Sequence, residues 1–189
     1  MKESQRVLVT KGLLKEALLN LMEGSHINQI TVAELCRKAG VNRNTFYSHY
    51  NSPEDLLFEI EQSYSDKIFQ IIEKTIPRDD YYLVLLKTLE AIAEEPQATR
   101  ILVQNTESTY FSQFIATAFE KVTTIWAEHH WKTNAQDNAM IYRFTTGGAE
   151  WVVSNWLKDG MKIPPETLAR KLAQLTEDIY EKYSKMYEI

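Results

Sequence analysis

Residues 31–55, TVAELCRKAGVNRNTFYSHYNSPED, constrain the fold of this chain more tightly than any other stretch. Thr31 and Glu34 have the spacing of a capping box, in which the hydroxyl takes the amide three residues on and the carboxylate reaches back. Val32, Leu35, Cys36 and Ala39 then recur at helical spacing as a narrow apolar stripe. Gly40 supplies the positive φ that stops this helix, and Asn42 is the N-cap of the next. In that second helix Phe46 and Tyr50, four apart, form the inward pair. Arg43, Asn44, Thr45, Tyr47 and His49 are left to point elsewhere. So short a helix does not need five polar or amphipathic groups for solubility alone. The set suits a helix-turn-helix whose second member enters the major groove of DNA.

The whole chain is expected to be all-α. Six glycines and five prolines are few for 189 residues, and no run alternates polar and apolar residues between turn signals. Hydrophobic residues make up 44%, enough for a globular core. No apolar run approaches the ~18 residues of a membrane span, and MKESQRVLVTK lacks the apolar centre of a signal peptide. A cytoplasmic chain with no membrane contact is expected. The single cysteine, Cys36, rules out an internal disulfide framework. It reads as a small core residue rather than a redox sensor.

A net charge of −5 looks wrong for a chain that meets DNA until it is divided by position. Residues 1–50 hold seven Lys and Arg against four Glu, a surplus of +3, which leaves −8 for the rest. One end is suited to approach phosphate and the other to avoid it.

Nine helices are expected, at about 4–22, 32–38, 43–49, 53–75, 80–94, 96–103 and 108–131, from Asn134 or Asp137 to about 157, and at about 165–184. Ser52 reads as an N-cap with Pro53 in the first helical position and Asp55 completing a capping box.

The first helix followed by ITVAELCRKAGVNRNTFYSHYNSPEDLL resembles the TetR/AcrR family of one-component transcriptional regulators over residues 7–58. Its most specific part is T-F-Y-x-H-Y, followed at once by a capped acidic helix start. The resemblance implies an α-helical homodimer. Residues 1–51 would form a three-helix DNA-binding domain, and 52–189 a helical domain for effector binding and dimerisation. It implies a repressor released from a palindromic double-stranded DNA operator by a small-molecule effector. The alternative is a DNA-binding co-activator controlled by a protein partner docking on the C-terminal domain. No cofactor is implied.

Carried over residue by residue, Thr31 matches the position that sits against a DNA phosphate, as helix starts favour. Arg43, Asn44 and Thr45 match those that face base edges, Arg43 suited to guanine and Asn44 to adenine. Tyr47 and His49 match the backbone clamp, and Lys11 is placed near the flanking phosphates. The chain departs from the family at Ser52-Pro53, where many members carry Asn-Lys. Lys38 or Arg37 is expected to make up some of that charge, although both also suit a helix C-terminus.

The other half carries weaker signals. Gly147 and Gly148 fall inside a helical pattern, where each costs about 1 kcal/mol relative to alanine, so close approach of another helix is expected there. The resemblance places dimer contacts in about 138–157 and 165–184, with Gly147, Gly148, Trp151, Trp156, Leu172, Leu175 and Ile179 as candidates. Phe111, Phe114, Trp126, Tyr142 and Phe144 offer walls for an effector pocket, with Glu107, Gln113 and Arg143 as polar anchors. The same aromatic spacing equally describes plain core. His129 and His130 point about 100° apart on a helix and cannot readily share a metal ion. No nucleophile–base–acid spacing or phosphate-binding glycine loop argues for an enzyme.

Overall fold

The computed structural model describes residues 5–75, 80–97, 99, 116, 117, 120 and 135–187. Among them are seven α-helices and one 3-10 turn, with no strand. The helices are α1 Gln5–Met22, α2 Val32–Ala39, α3 Arg43–Tyr47, α4 Pro53–Thr75, α5 Tyr81–Glu94, α6 Ala135–Lys158 and α7 Pro165–Tyr187. The helices expected at 96–103 and 108–131 lie largely outside the described residues. No helix of the described residues is long and apolar enough to cross a membrane.

The chain divides into two compact units, residues 1–64 and 65–189. The expected boundary followed the break at Asn51, but the first unit extends through the opening turns of α4. Side chains explain the extension. Glu59 of α4 is bonded to Lys11 of α1 and to Tyr50, and Lys15 Nζ lies 5.4 Å from the Tyr64 ring centroid. A Pro at the first helical position starts a helix; it does not end a core.

In the first unit, Leu14, Ala17, Leu18 and Leu19 of α1 are buried, as are Leu35, Cys36 and Ala39 of α2, and α1 packs on α2. The 3-10 turn Ile27–Gln29 joins them and buries Ile27. Phe46, Tyr50, Leu56, Leu57 and Ile60 belong to the buried set of the same unit. The interior is apolar at nearly every inward position, which supplies the main driving force for folding.

In the second unit α5 packs along α7. Tyr81, Val84, Leu85, Leu89 and Ile92 are buried on one side, and Leu168, Ala169, Leu172, Ala173, Thr176 and Tyr180 on the other. Two alanines, Ala169 and Ala173, let the helices approach closely. Arg170 stacks its guanidinium 5.4 Å from the Tyr82 ring centroid. Lys67 of α4 bonds Glu94 at 2.9 Å, and that hydrogen bond holds the ammonium pKa above its ordinary value. The turn between α6 and α7 is pinned by Trp156, whose indole N–H donates to the Ile163 carbonyl at 2.7 Å.

Candidate nucleic-acid interface

The local chemistry of residues 31–55 folds as its caps dictate. The Thr31 hydroxyl accepts the Glu34 amide at 3.2 Å and starts α2. Gly40 ends it at φ 65° and ψ 27°, a left-handed conformation that costs a side-chain-bearing residue about 1–2 kcal/mol. Val41 N–H closes the turn on the Cys36 carbonyl at 3.0 Å. Asn42 Oδ1 then takes the Asn44 amide at 2.8 Å and opens α3. The regular helix is shorter than expected, but hydrogen bonds continue its turn. Ser48 N–H reaches the Asn44 carbonyl, and the His49 and Tyr50 amides both reach Phe46.

The inward pair of α3 is fixed by contact. Phe46 is fully buried, with its ring centroid 5.7 Å from that of Tyr50. Tyr47 stands edge-on to Phe46 at 5.6 Å yet remains 57% exposed. Arg43 and Asn44 are exposed, and Thr45 and His49 are half-buried. Thr31, Arg37 and Lys38 are exposed on α2 and its cap. A short helix thus presents a fork of guanidinium donors, an amide and a phenol beside two further cations. This donor set matches base edges and phosphate oxygens. Burial pushes the Cys36 thiol pKa up, while the nearby Arg43 charge opposes it. Cys36 is buried, in keeping with a core role.

Lys11 is placed differently from its expected phosphate contact. Its Nζ bonds Glu59 Oε2 at 3.1 Å, and the side chain is only a quarter exposed (26%). Glu59 was not legible as its partner, because the two residues stand 48 apart.

The segment after α3 is closed by a cap offset by one residue from expectation. Ser52 Oγ accepts the Asp55 amide at 3.3 Å, but the Asp55 carboxylate takes the backbone and side-chain amides of Asn51, at 3.0 and 2.8 Å. The Asn51 side-chain bond, then its backbone bond, holds the Asp55 pKa below the ordinary carboxylate value. A value lower in the folded than in the unfolded chain stabilises fully above the unfolded pKa, and that stability is lost as pH falls through the folded one. Asp55→Asn is therefore expected to destabilise the protein at neutral pH and to do so less in acid. Urea unfolding at pH 7 and pH 3 checks this; an equal effect at both would contradict it.

In the second unit, α6 has two apolar faces. Ile141, Thr145, Ala149, Val153, Trp156 and Leu157 are buried. Met140, Phe144 (71% exposed) and Trp151 (69% exposed) stand on the other side, with Gly147 and Gly148 between them. Among the described residues a Cβ built on either glycine meets nothing within 4 Å, so none of the described helices explains them. On α7, Leu175 is exposed and Ile179 half-buried. Leu172 is only 6% exposed, packed inside its own subunit, and is removed from the candidate dimer contacts. Trp156 is likewise core. Arg143 and Phe144 are exposed and do not line an enclosed pocket. Glu107, Phe111, Gln113, Phe114 and Trp126, like the Tyr142 side chain and the His129-His130 pair, lie outside the described residues. Among the described residues no cluster of metal-ligating side chains is present. Met140 was overlooked in the sequence, although the stripe 140, 144, 147/148, 151 was there at helical spacing.

Comparison with known proteins places this arrangement. Residues 15–60 match a family model described as bacterial regulatory proteins, tetR family, and residues 79–178 match one described as transcriptional regulator C-terminal region. No curated protein sequence matches the chain. Among solved structures, a TetR transcriptional regulator from Streptococcus agalactiae is similar at 21% identity and TM-score 0.67, covering 91% of this chain and 96% of that one. NalD, a secondary repressor of the MexAB-OprM efflux pump in Pseudomonas aeruginosa, is similar at 16% identity and TM-score 0.68, with coverage of 91% and 96%. The dihydroxyacetone kinase operon activator DhaS is similar at 18% identity and TM-score 0.65, with coverage of 92% and 97%. At these identities the structures share the fold. The C-terminal match alone spans more than half of the chain, and with the helix-turn-helix match it makes this protein a member of the TetR family of DNA-binding transcriptional regulators.

Proposed function

We propose that the protein is a homodimeric repressor that holds a near-palindromic operator with two copies of α3 and leaves it when a small molecule binds the 65–189 unit. It acts by binding, without turnover. The observation that carries this is the pairing of two unsatisfied surfaces in one chain: a DNA-matched row on Arg43, Asn44, Thr45, Tyr47 and His49, and an exposed apolar face on α6 and α7. Thr31 and Lys38 add phosphate contacts from α2.

The seam we infer runs along Met140, Phe144, Gly147, Gly148 and Trp151 of α6, with Leu175 and Ile179 of α7. A two-fold axis beside Gly147–Gly148 sets Phe144 opposite the partner's Trp151, because the two positions are equally spaced about it. The glycines then serve to let the two copies of α6 cross closely. NalD is a repressor by name, and the structure of FadR from Bacillus subtilis was solved with stearoyl-CoA, which supports control by a small molecule in this fold.

Selection of bound duplexes from a random DNA pool tests the proposal. The expected product is a near-palindrome with half-sites about 10 bp apart or slightly more, bound with a steep salt dependence. Enrichment of a single unsymmetrical half-site, or of nothing, would contradict it. Metabolites that release the selected duplex then define the effector class.

A further inference from the structure

Glu59 bonds Tyr50, the residue that ends the recognition segment, and has no part in the DNA contacts proposed above. It belongs to α4 within the 1–64 unit, and its carboxylate serves two other segments. Oε1 accepts the Tyr50 hydroxyl at 3.0 Å, and Oε2 accepts from Lys11 Nζ at 3.1 Å. Lys11 Nζ also lies 5.8 Å from the centroid of the Tyr50 ring, so the three side chains close on one another. Tyr50 is buried, with its ring 5.7 Å from Phe46 and 6.3 Å from His49.

An exposed ion pair by itself contributes little. A buried tyrosine whose hydroxyl meets a carboxylate is another matter, because the bond is charge-assisted and sets the ring. The regular part of α3 has five residues, too few to fix its own direction by helix length. Its exit is therefore held where Tyr50 is held, and His49 and Tyr47 take their bearing from the same rings. The second effect is electrostatic. A lysine already facing a carboxylate displaces no counterion when DNA arrives, whereas a freed one adds about 0.9 to the slope of log K against log salt.

We propose that Glu59 is a positioning residue for DNA recognition: it locks the exit of the recognition helix through Tyr50 and holds the ammonium of Lys11 on its own carboxylate, away from phosphate. This rests on α3 being the element that enters the groove.

The test uses the full-length chain, the duplex that the wild type selects from a random pool, and a scrambled duplex of equal length. Glu59→Gln is expected to steepen the salt slope of the dimer on both duplexes by about 2, roughly 0.9 for each protomer, and to reduce the selected-to-scrambled affinity ratio about tenfold, roughly the worth of one base pair. Lys11→Met alone leaves the slope unchanged. Adding it to Glu59→Gln restores the slope but not the ratio, and Tyr50→Phe lowers the ratio with no change in slope. A smaller folded fraction changes binding amplitude and not slope, so a destabilised variant still reports. An unchanged slope or an unchanged ratio in Glu59→Gln, or a flatter slope in Lys11→Met alone, overturns the proposal. A wild type that enriches no sequence contradicts the groove assignment itself, and the slopes on the scrambled duplex still decide what Glu59 does.

Discussion

Trp151→Glu is expected to convert the protein from a dimer to a monomer at micromolar concentration and to abolish operator binding at the same concentration. Trp151 is 69% exposed, and it shares a face with Phe144, Met140 and two glycines whose built Cβ atoms meet nothing within 4 Å among the described residues. Large aromatic groups at the centre of an interface carry about 2–4 kcal/mol each, and two-fold symmetry counts every substitution twice. The substitution also buries a carboxylate that gains no partner, so on the order of 4 kcal/mol or more is lost. That loss weakens association about a thousandfold. Sedimentation of the variant and the wild type across a concentration series measures it directly. Trp156→Phe is the contrast. It removes the indole bond to the Ile163 carbonyl inside the subunit and is expected to lower stability by about 1 kcal/mol while the dimer persists. A Trp151→Glu protein that stays dimeric would move the seam elsewhere.

Phe46→Ala is expected to destabilise the 1–64 unit by about 3–5 kcal/mol, the cost of emptying a fully buried aromatic site. Phe46 has no exposed surface, and both Tyr47 and Tyr50 lean on its ring. A unit this small has little stability to spare. Hydrogen exchange resolves the effect along the chain: amides of α1, α2 and α3 lose protection, while those of α5 and α7 keep theirs because they belong to a separate compact unit. Uniform loss through both units, or full protection throughout, would contradict this division. DNA binding disappears with the unit, and dimerisation survives.

The contrast between the two halves explains how much the sequence could tell. Thr31, Gly40, Asn42 and Ser52 were legible because capping is decided by a residue and its neighbours within three or four positions. The outward side of α3 was legible by subtraction, since Phe46 and Tyr50 account for the inward side of a very short helix. Lys11 was not, because a charge announces itself in sequence but its partner, Glu59, comes from a distant helix. On α7, Leu172 and Leu175 stand three apart, and periodicity alone cannot say which of two apolar faces meets the chain itself and which a second copy. Burial separates the two, with Leu172 inside its own chain and Leu175 exposed. The domain boundary shifted for a related reason: Ser52-Pro53 marks the start of a helix, while compactness depends on where that helix's side chains are held.

Repeating the random-pool selection with Arg43→Ala beside the wild type tests the role of α3 most directly. Arg43 is exposed at the first position of α3, with a donor fork that fits guanine. The expected result is loss of preference at one symmetry-related position in each half-site, with the rest of the near-palindrome retained and affinity lower by about 1–3 kcal/mol per protomer. An Arg43→Ala protein that enriches the same sequence at unchanged affinity would show that α3 does not read DNA through this residue.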